Sequence, residues 1–136
     1  PVVLMSGGVG VTPMTSMLST LLAEKSERSV TFVHACRNGR VHAFRQWLND
    51  TVTAHPNVTR AVFYEAVEAT DRLGVDYDFE GRLDVTKIAD KVIVPDADYY
   101  ICGPLPFMRA QCDALAALGV DAARIHTEVF GSGAVQ

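Results

Sequence analysis

The chain has 136 residues, 49% of them hydrophobic, and a formal net charge of -4. That is enough apolar material for one buried core and leaves little room for a second domain. It offers no basic surface for nucleic acid, and no apolar run approaches the ~18 residues of a membrane span. Three cysteines, Cys36, Cys102 and Cys112, form no metal-ligand spacing. Their odd number suits a reducing compartment, so a cytoplasmic protein without a bound metal is expected.

Pro1 to Met5 is apolar but has no basic flank, and it runs straight into glycines, so it is not read as a signal peptide. Val2 to Met5 reads as a strand buried on both faces, and the start inside a strand suggests a domain whose longer protein continues upstream. Thr12 and Pro13 then form a candidate N-cap and first helical residue. Met14, Met17, Leu18, Leu21 and Leu22 follow at helical spacing. Val30 to His34 predicts a second strand, and Phe44, Trp47 and Leu48 mark one face of a helix from about Val41 to Val52. Thr59 to Tyr64 predicts a third strand. Glu65 to Glu80 is polar, acidic and without a period, so it is expected to be a long surface loop.

Asp84 is placed to cap a short helix reaching Lys91, and Tyr99 to Cys102 predicts a fourth strand. Phe107, Met108, Leu115 and Leu118 define a last helix that ends at Gly119, and Ile125 to Phe130 predicts a fifth strand. Strands alternating with helices specify an α/β fold: a doubly wound, parallel, five-stranded sheet with helices on both faces. Ligands of such sheets collect at the carboxyl ends of the strands.

Two turns lie at that edge, Gly7-Gly8-Val9-Gly10-Val11-Thr12-Pro13 and Cys102-Gly103-Pro104-Leu105-Pro106-Phe107-Met108. A diphosphate needs backbone N–H groups at close range. A Cβ at Gly7, Gly8 or Gly10 would hold the main chain away or forbid the required φ. The helix dipole that follows adds attraction. Pro13 stands where a dinucleotide fingerprint has its third glycine, and no P-loop lysine is present, so neither of those motifs applies. Taken alone, the first turn also fits a tight strand-to-helix connection with no ligand. In the second, Gly103 admits a planar group and Pro104 fixes the turn. Cys102 alone reads either as a thiol facing a bound ring or as a buried structural cysteine.

Together the GGxGxTP and CGP turns resemble the ferredoxin-NADP reductase superfamily. Within it, the stretch from His34 to Phe44, Asp98 to Pro104 and Ile125 to Gly131 look like the reductase end of flavohemoglobins, with the likeness running almost the full length. That resemblance implies a nicotinamide-binding domain, residues 1–136, that delivers hydride to FAD. FAD and heme would belong to flavin-binding and globin domains of the same chain, which convert nitric oxide and oxygen to nitrate. It further implies that Gly7, Gly8, Val9, Gly10, Val11, Thr12 and Pro13 hold the diphosphate of NADH or NADPH and that Cys102, Gly103 and Pro104 border the nicotinamide. Cys102 and Glu128 are then the candidate catalytic residues, with Val129, Phe130, Gly131 and Ser132 at the flavin. Thr127 stands where tyrosine is usual in that family, and Gly131-Ser132-Gly133 replaces a glycine-proline ending.

Arg37 and Asn38, just beyond the second strand, fall where such folds meet adenosine. Arg37 reads as a phosphate or adenine partner or as a solvated loop cation. No cluster of serine and arginine marks a 2'-phosphate site, which favours NADH. His34, His42 and His126 read as capping or packing residues, and Phe130 reads equally as a terminal aromatic packed on a neighbouring domain. Gly10→Val is expected to abolish cofactor binding without unfolding the domain. An iron-sulfur oxygenase reductase would share both turns, and a non-catalytic nucleotide-binding module is a third reading.

Overall fold

A computed structural model of the chain describes residues 1–129. Its central strand β1 (Val2–Gly7) is buried along its whole length, as a continuous apolar run demands when both faces are covered. β1 leads through a short 3-10 turn, Gly8–Gly10, into α1 (Val11–Ala23). β2 (Val30–Cys36) is equally buried and ends in a second 3-10 turn, Gly39–Val41, before α2 (Arg45–Ala54). β3 (Val58–Tyr64), β4 (Phe79–Glu80), α3 (Ala89–Val92), β5 (Asp98–Gly103), α4 (Leu105–Ala117) and β6 (Ile125–Val129) follow.

All strand pairs are parallel, in the order β4-β3-β2-β1-β5-β6. Chain order therefore runs outward from β1 on one side through β4 and resumes on its other side at β5. The break lies between β1 and β5, where Ser6 pairs in register with Cys102. Crevices form at such reversals because the two connections leave in opposite directions.

The sheet has six strands rather than the five expected, because Phe79 and Glu80 pair with Phe63 and Tyr64. Residues 65–80 are also more than a surface loop. Tyr77 is buried and stacks on Tyr64 with ring centroids 5.2 Å apart, and Asp76 is buried beside it. Arg60 holds the segment down by donating to Asp78 at 3.1 Å.

Two cores result. Leu4, Val11, Met14, Leu18, Phe32, Leu48 and Cys102 fill the face under α1 and α2, whereas Met5, Val33, Phe63, Ile88, Ile101, Met108 and Leu115 fill the face under α3 and α4. α1 begins at Val11 with Gly10 as its N-cap, two residues earlier than the Thr12 cap expected. Pro13 is tolerated in the first turn because its N–H would find no helical acceptor there. Asp84 caps the turn before α3 as expected, accepting from the Thr86 N–H at 3.0 Å. α4 closes on Gly119 at φ +93, where the N–H of Gly119 bonds Ala116 and that of Val120 bonds Leu115, a Schellman ending.

Candidate functional site

The two glycine turns interlock at the β1/β5 reversal. A Cβ built on Gly10 would strike the Cys102 carbonyl and stand 2.8 Å from the Gly103 nitrogen. On Gly7 it would stand 2.8 Å from the Phe107 ring, and on Gly103 it would meet the same ring at 2.8 Å and the Gly7 oxygen at 3.2 Å. Gly7, Gly10 and Gly103 are therefore glycines because the turns and Phe107 pack directly on one another. Packing within the protein is thus a reason for glycine at Gly7 and Gly10 in addition to the ligand approach expected from the sequence.

Gly8 is different. Its φ is +55 and nothing lies within 4 Å of an added Cβ, so the left-handed backbone alone selects glycine there and the position faces open space. Val9 beside it is 71% exposed, Thr12 is exposed, and Pro13 is half-buried. The Val11 N–H that opens α1 is taken by the Gly8 and Val9 carbonyls of the 3-10 turn, and the positive end of α1 lies behind the turn. Phe107 thus fills the α4 side of the paired turns and leaves the Gly8–Val9 side open. An anion can reach main-chain donors there.

Cys102 has no exposed surface and packs among Leu4, Val11 and Met14, so its side chain lies under the edge in this structure. Exposed Pro104 leads into α4 and accepts from the Met108 N–H at 3.0 Å. β6 sets Glu128 in register with Cys102 and Val129 with Gly103, bringing both main chains to the same edge. The candidates Phe130, Gly131 and Ser132 lie outside the described residues.

Beyond β2 the two candidates separate. Arg37 is exposed, with no carboxylate partner among the described residues, which leaves its guanidinium open to a ligand. Asn38 is buried, and its side-chain oxygen accepts from the Arg40 N–H at 3.1 Å to cap the turn. That bond gives Asn38 a structural place in the turn through its Oδ1. Acidic residues from the 65–80 segment clasp this turn. Asp71 accepts from the N–H groups of Gly39 (3.2 Å) and Glu68 (2.8 Å), while Arg40 pairs with Glu68 at 2.6 Å.

Sequence reasoning missed Phe44. The helix expected to run from Val41 is interrupted at His42–Phe44, and Phe44 takes a left-handed backbone, φ 63 and ψ 18, at the N-cap of α2. A bulky residue in that region costs roughly 1–2 kcal/mol. Its ring stays 47% exposed, edge-on to Trp47 with centroids 6.4 Å apart. The two aromatics line one wall of a cleft of about 450 Å³ whose other wall is Thr12, Thr15, Ser16, Ser19 and Thr20 of α1. The cleft therefore begins at Thr12 of the first glycine turn.

Beneath both turns lies a buried polar chain. Ser6 Oγ meets His34 Nδ1 at 2.7 Å, the His34 and His42 rings stack at 4.9 Å, and His42 Nδ1 meets the Tyr64 hydroxyl at 2.6 Å. Burial lowers the His34 pKa to about 4. Burial, then the neighbouring His34, lowers that of His42 to about 3. Both rings are neutral at physiological pH. Burial also pushes the Cys36 thiol up to about 12, which removes it as a nucleophile. Among the described residues no group of histidine, cysteine, aspartate or glutamate is placed to hold a metal, and no helix is long and apolar enough to cross a membrane.

A parallel sheet with two interlocked glycine turns at its order reversal, one opening a helix, defines a nucleotide-binding α/β domain. The chain belongs to the oxidoreductase NAD-binding domain family, which it matches over residues 4–113. It is 62% identical over 135 residues to a flavohemoprotein of Bordetella pertussis, covering 99% of this chain and 34% of that protein. The chain thus spans about a third of the length of the curated relatives it matches. Two solved structures share the fold closely. One is the flavohem-like FAD/NAD binding domain of nitric oxide dioxygenase from Vibrio cholerae, at 39% identity and TM-score 0.79 over 96% of this chain and 51% of that one. The other is a flavohemoglobin from Malassezia yamatoensis with bound FAD and heme, at 30% identity and TM-score 0.81 over 96% of this chain and 32% of that one.

Proposed function

We propose that residues 1–136 are the nicotinamide-nucleotide-binding domain of a longer flavohemoglobin, in which FAD-binding and globin domains of the same chain carry electrons onward and nitric oxide and oxygen become nitrate. The observation that carries the reading is the interlock of Gly7 and Gly10 with Cys102 and Gly103 at the β1/β5 reversal, with Gly8 open beside it. The named relatives at 62% and 39% identity are of flavohemoprotein type, which sets this reading above an iron-sulfur oxygenase reductase.

The residues fit the coenzyme. Amides of the open Gly8–Val9 side hold the diphosphate at the α1 N-terminus, Arg37 adds a cation, and the Phe44 ring offers a face to adenine across the cleft from Thr12. The Cys102-Gly103-Pro104 main chain would border the nicotinamide, and Glu128, paired with Cys102 on the adjacent strand, would lie on the flavin side. NADH or NADPH supplies a hydride to FAD. The domain's own work is to fix the approach and exclude water. Glu68 and Asp71 around the Gly39–Val41 turn favour NADH, because a 2'-phosphate there meets carboxylates and an arginine that is already paired.

The test is anaerobic stopped-flow reduction of the flavin in the longer protein. NADH should bleach the flavin band, and Gly8→Val should raise the NADH concentration needed. A flavin left oxidised by NADH would refute the assignment.

A further inference from the structure

Resting on that reading, we infer that the buried chain Ser6–His34–His42–Tyr64 is a positioning device. It fixes the adenosine-side segment, Asn38 to Phe44, against the diphosphate turn. Ser6 precedes Gly7 in β1, and His42 stands two residues before Phe44, so the chain links one turn to the other across β2. Its far end is fixed in turn. Tyr64 stacks on Tyr77 of the acidic segment, and Asp71 of that segment holds Gly39. Ser6 and His34 sit opposite each other in one row of the sheet, and Tyr64 sits one row nearer the carboxyl edge, opposite Cys36.

Stability does not account for the cluster. His34 is fully buried, and its Nε2 has no hydrogen-bond partner among the described residues. Since Nδ1 is the nitrogen beside Ser6, Nε2 is left unsatisfied in either tautomer. Such an atom costs free energy, and replacing both members of a buried polar pair by apolar groups of similar shape is often neutral. The chain also abuts the left-handed Phe44, a second local cost carried at the same place. Two unfavourable features side by side indicate a geometry held for a reason other than folding. The segment they hold is the one that presents Arg37 and Phe44.

The inference separates the two halves of the coenzyme. A slack tether between the turns should weaken the grip on the adenosine half and leave the nicotinamide half alone. The experiment compares NADH with reduced nicotinamide mononucleotide, which lacks adenosine, in the longer flavoprotein. His42→Phe and the milder Tyr64→Phe should each raise KM for NADH roughly tenfold, the equivalent of one buried polar contact, with kcat unchanged. Both should leave kcat/KM for the mononucleotide as in wild type. His42→Asn, which keeps a polar atom near the Nδ1 position, should restore most of the loss. ADP-ribose binding measured by calorimetry should weaken in parallel with the NADH KM. Equal losses with both reductants, or no loss in either variant, would overturn the inference while leaving the proposed function standing. Wild-type flavin that NADH does not reduce would overturn both.

Discussion

The stacked histidines predict how the domain responds to acid. His34 has a folded pKa of about 4 against an ordinary value of 6.5, because burial penalises its charged form. A histidine held neutral contributes stability that is fully present above its unfolded pKa and is lost as pH falls toward its folded one. Between pH 6.5 and 4 the unfolded chain takes up a proton that the folded chain refuses, so unfolding becomes easier throughout that window. The gap makes the fold roughly 3 kcal/mol less stable at pH 4 than at pH 7 from His34 alone. His42, lowered to about 3 by burial and by His34, extends the loss downward. With centroids 4.9 Å apart the rings titrate as a pair, so only their joint effect is measurable. Arg45 and Arg60 near His42 act in the same direction as burial, and Asp71 opposes them. Thermal unfolding of the 136-residue chain between pH 7 and 4 should show a melting temperature falling by on the order of 10 °C. The fall should be concentrated below pH 6.5. In a His34→Leu, His42→Phe double variant it should largely disappear. A melting temperature flat from pH 6.5 to 4.5, or an unchanged slope in the double variant, would show that these rings are not buried neutral.

Other substitutions bear on the edge itself. Gly10→Ala should destabilise the domain by roughly 1–3 kcal/mol in urea unfolding, because its Cβ meets main chain at Cys102 that cannot swing aside. Gly10→Val is therefore not the clean binding variant that the sequence suggests. Gly8→Ala, which meets no atom but keeps a left-handed φ, should cost only about 1 kcal/mol in the same assay and act on NADH binding instead. Glu68→Gln, which releases Arg40, should raise kcat/KM for NADPH several-fold while leaving that for NADH nearly constant; an unchanged ratio of the two would remove the carboxylates from coenzyme selection. Cys102→Ala removes a thiol that lies under the edge and keeps the main chain, so it should leave the rate of flavin reduction in stopped flow near wild type; a markedly slowed reduction would bring the side chain itself to the nicotinamide.

The sheet was legible wherever burial alone dictates sequence. Val2 to Met5 and Val30 to His34 are apolar because both faces are covered, and the period of α1 and α4 records one face packed on the sheet. The 65–80 segment was not legible, since it is held by carboxylate-to-amide bonds and by Tyr77, and neither leaves a periodic trace. At the site, the glycines announced a close approach but not what approaches. Only coordinates distinguish Gly8, which faces open space, from Gly10, which faces another turn. Asn38 looked like a ligand residue because caps and ligand contacts use the same amide chemistry. Phe44 was hidden in an apparently helical pattern, since a left-handed backbone at a bulky residue leaves no trace in apolar spacing.

The mutual fit of Gly7, Gly10, Gly103 and Phe107 also limits how the domain can evolve. A side chain gained at Gly7 or Gly10 meets a partner about a hundred residues away in the chain, and at Gly10 that partner is main chain that no substitution removes. Selection acting on coenzyme grip is channelled instead to Val9, whose side chain points outward and answers to no neighbour in the lock. A library built to retune this oxidoreductase domain should randomise that valine first and hold the four interlocked positions constant.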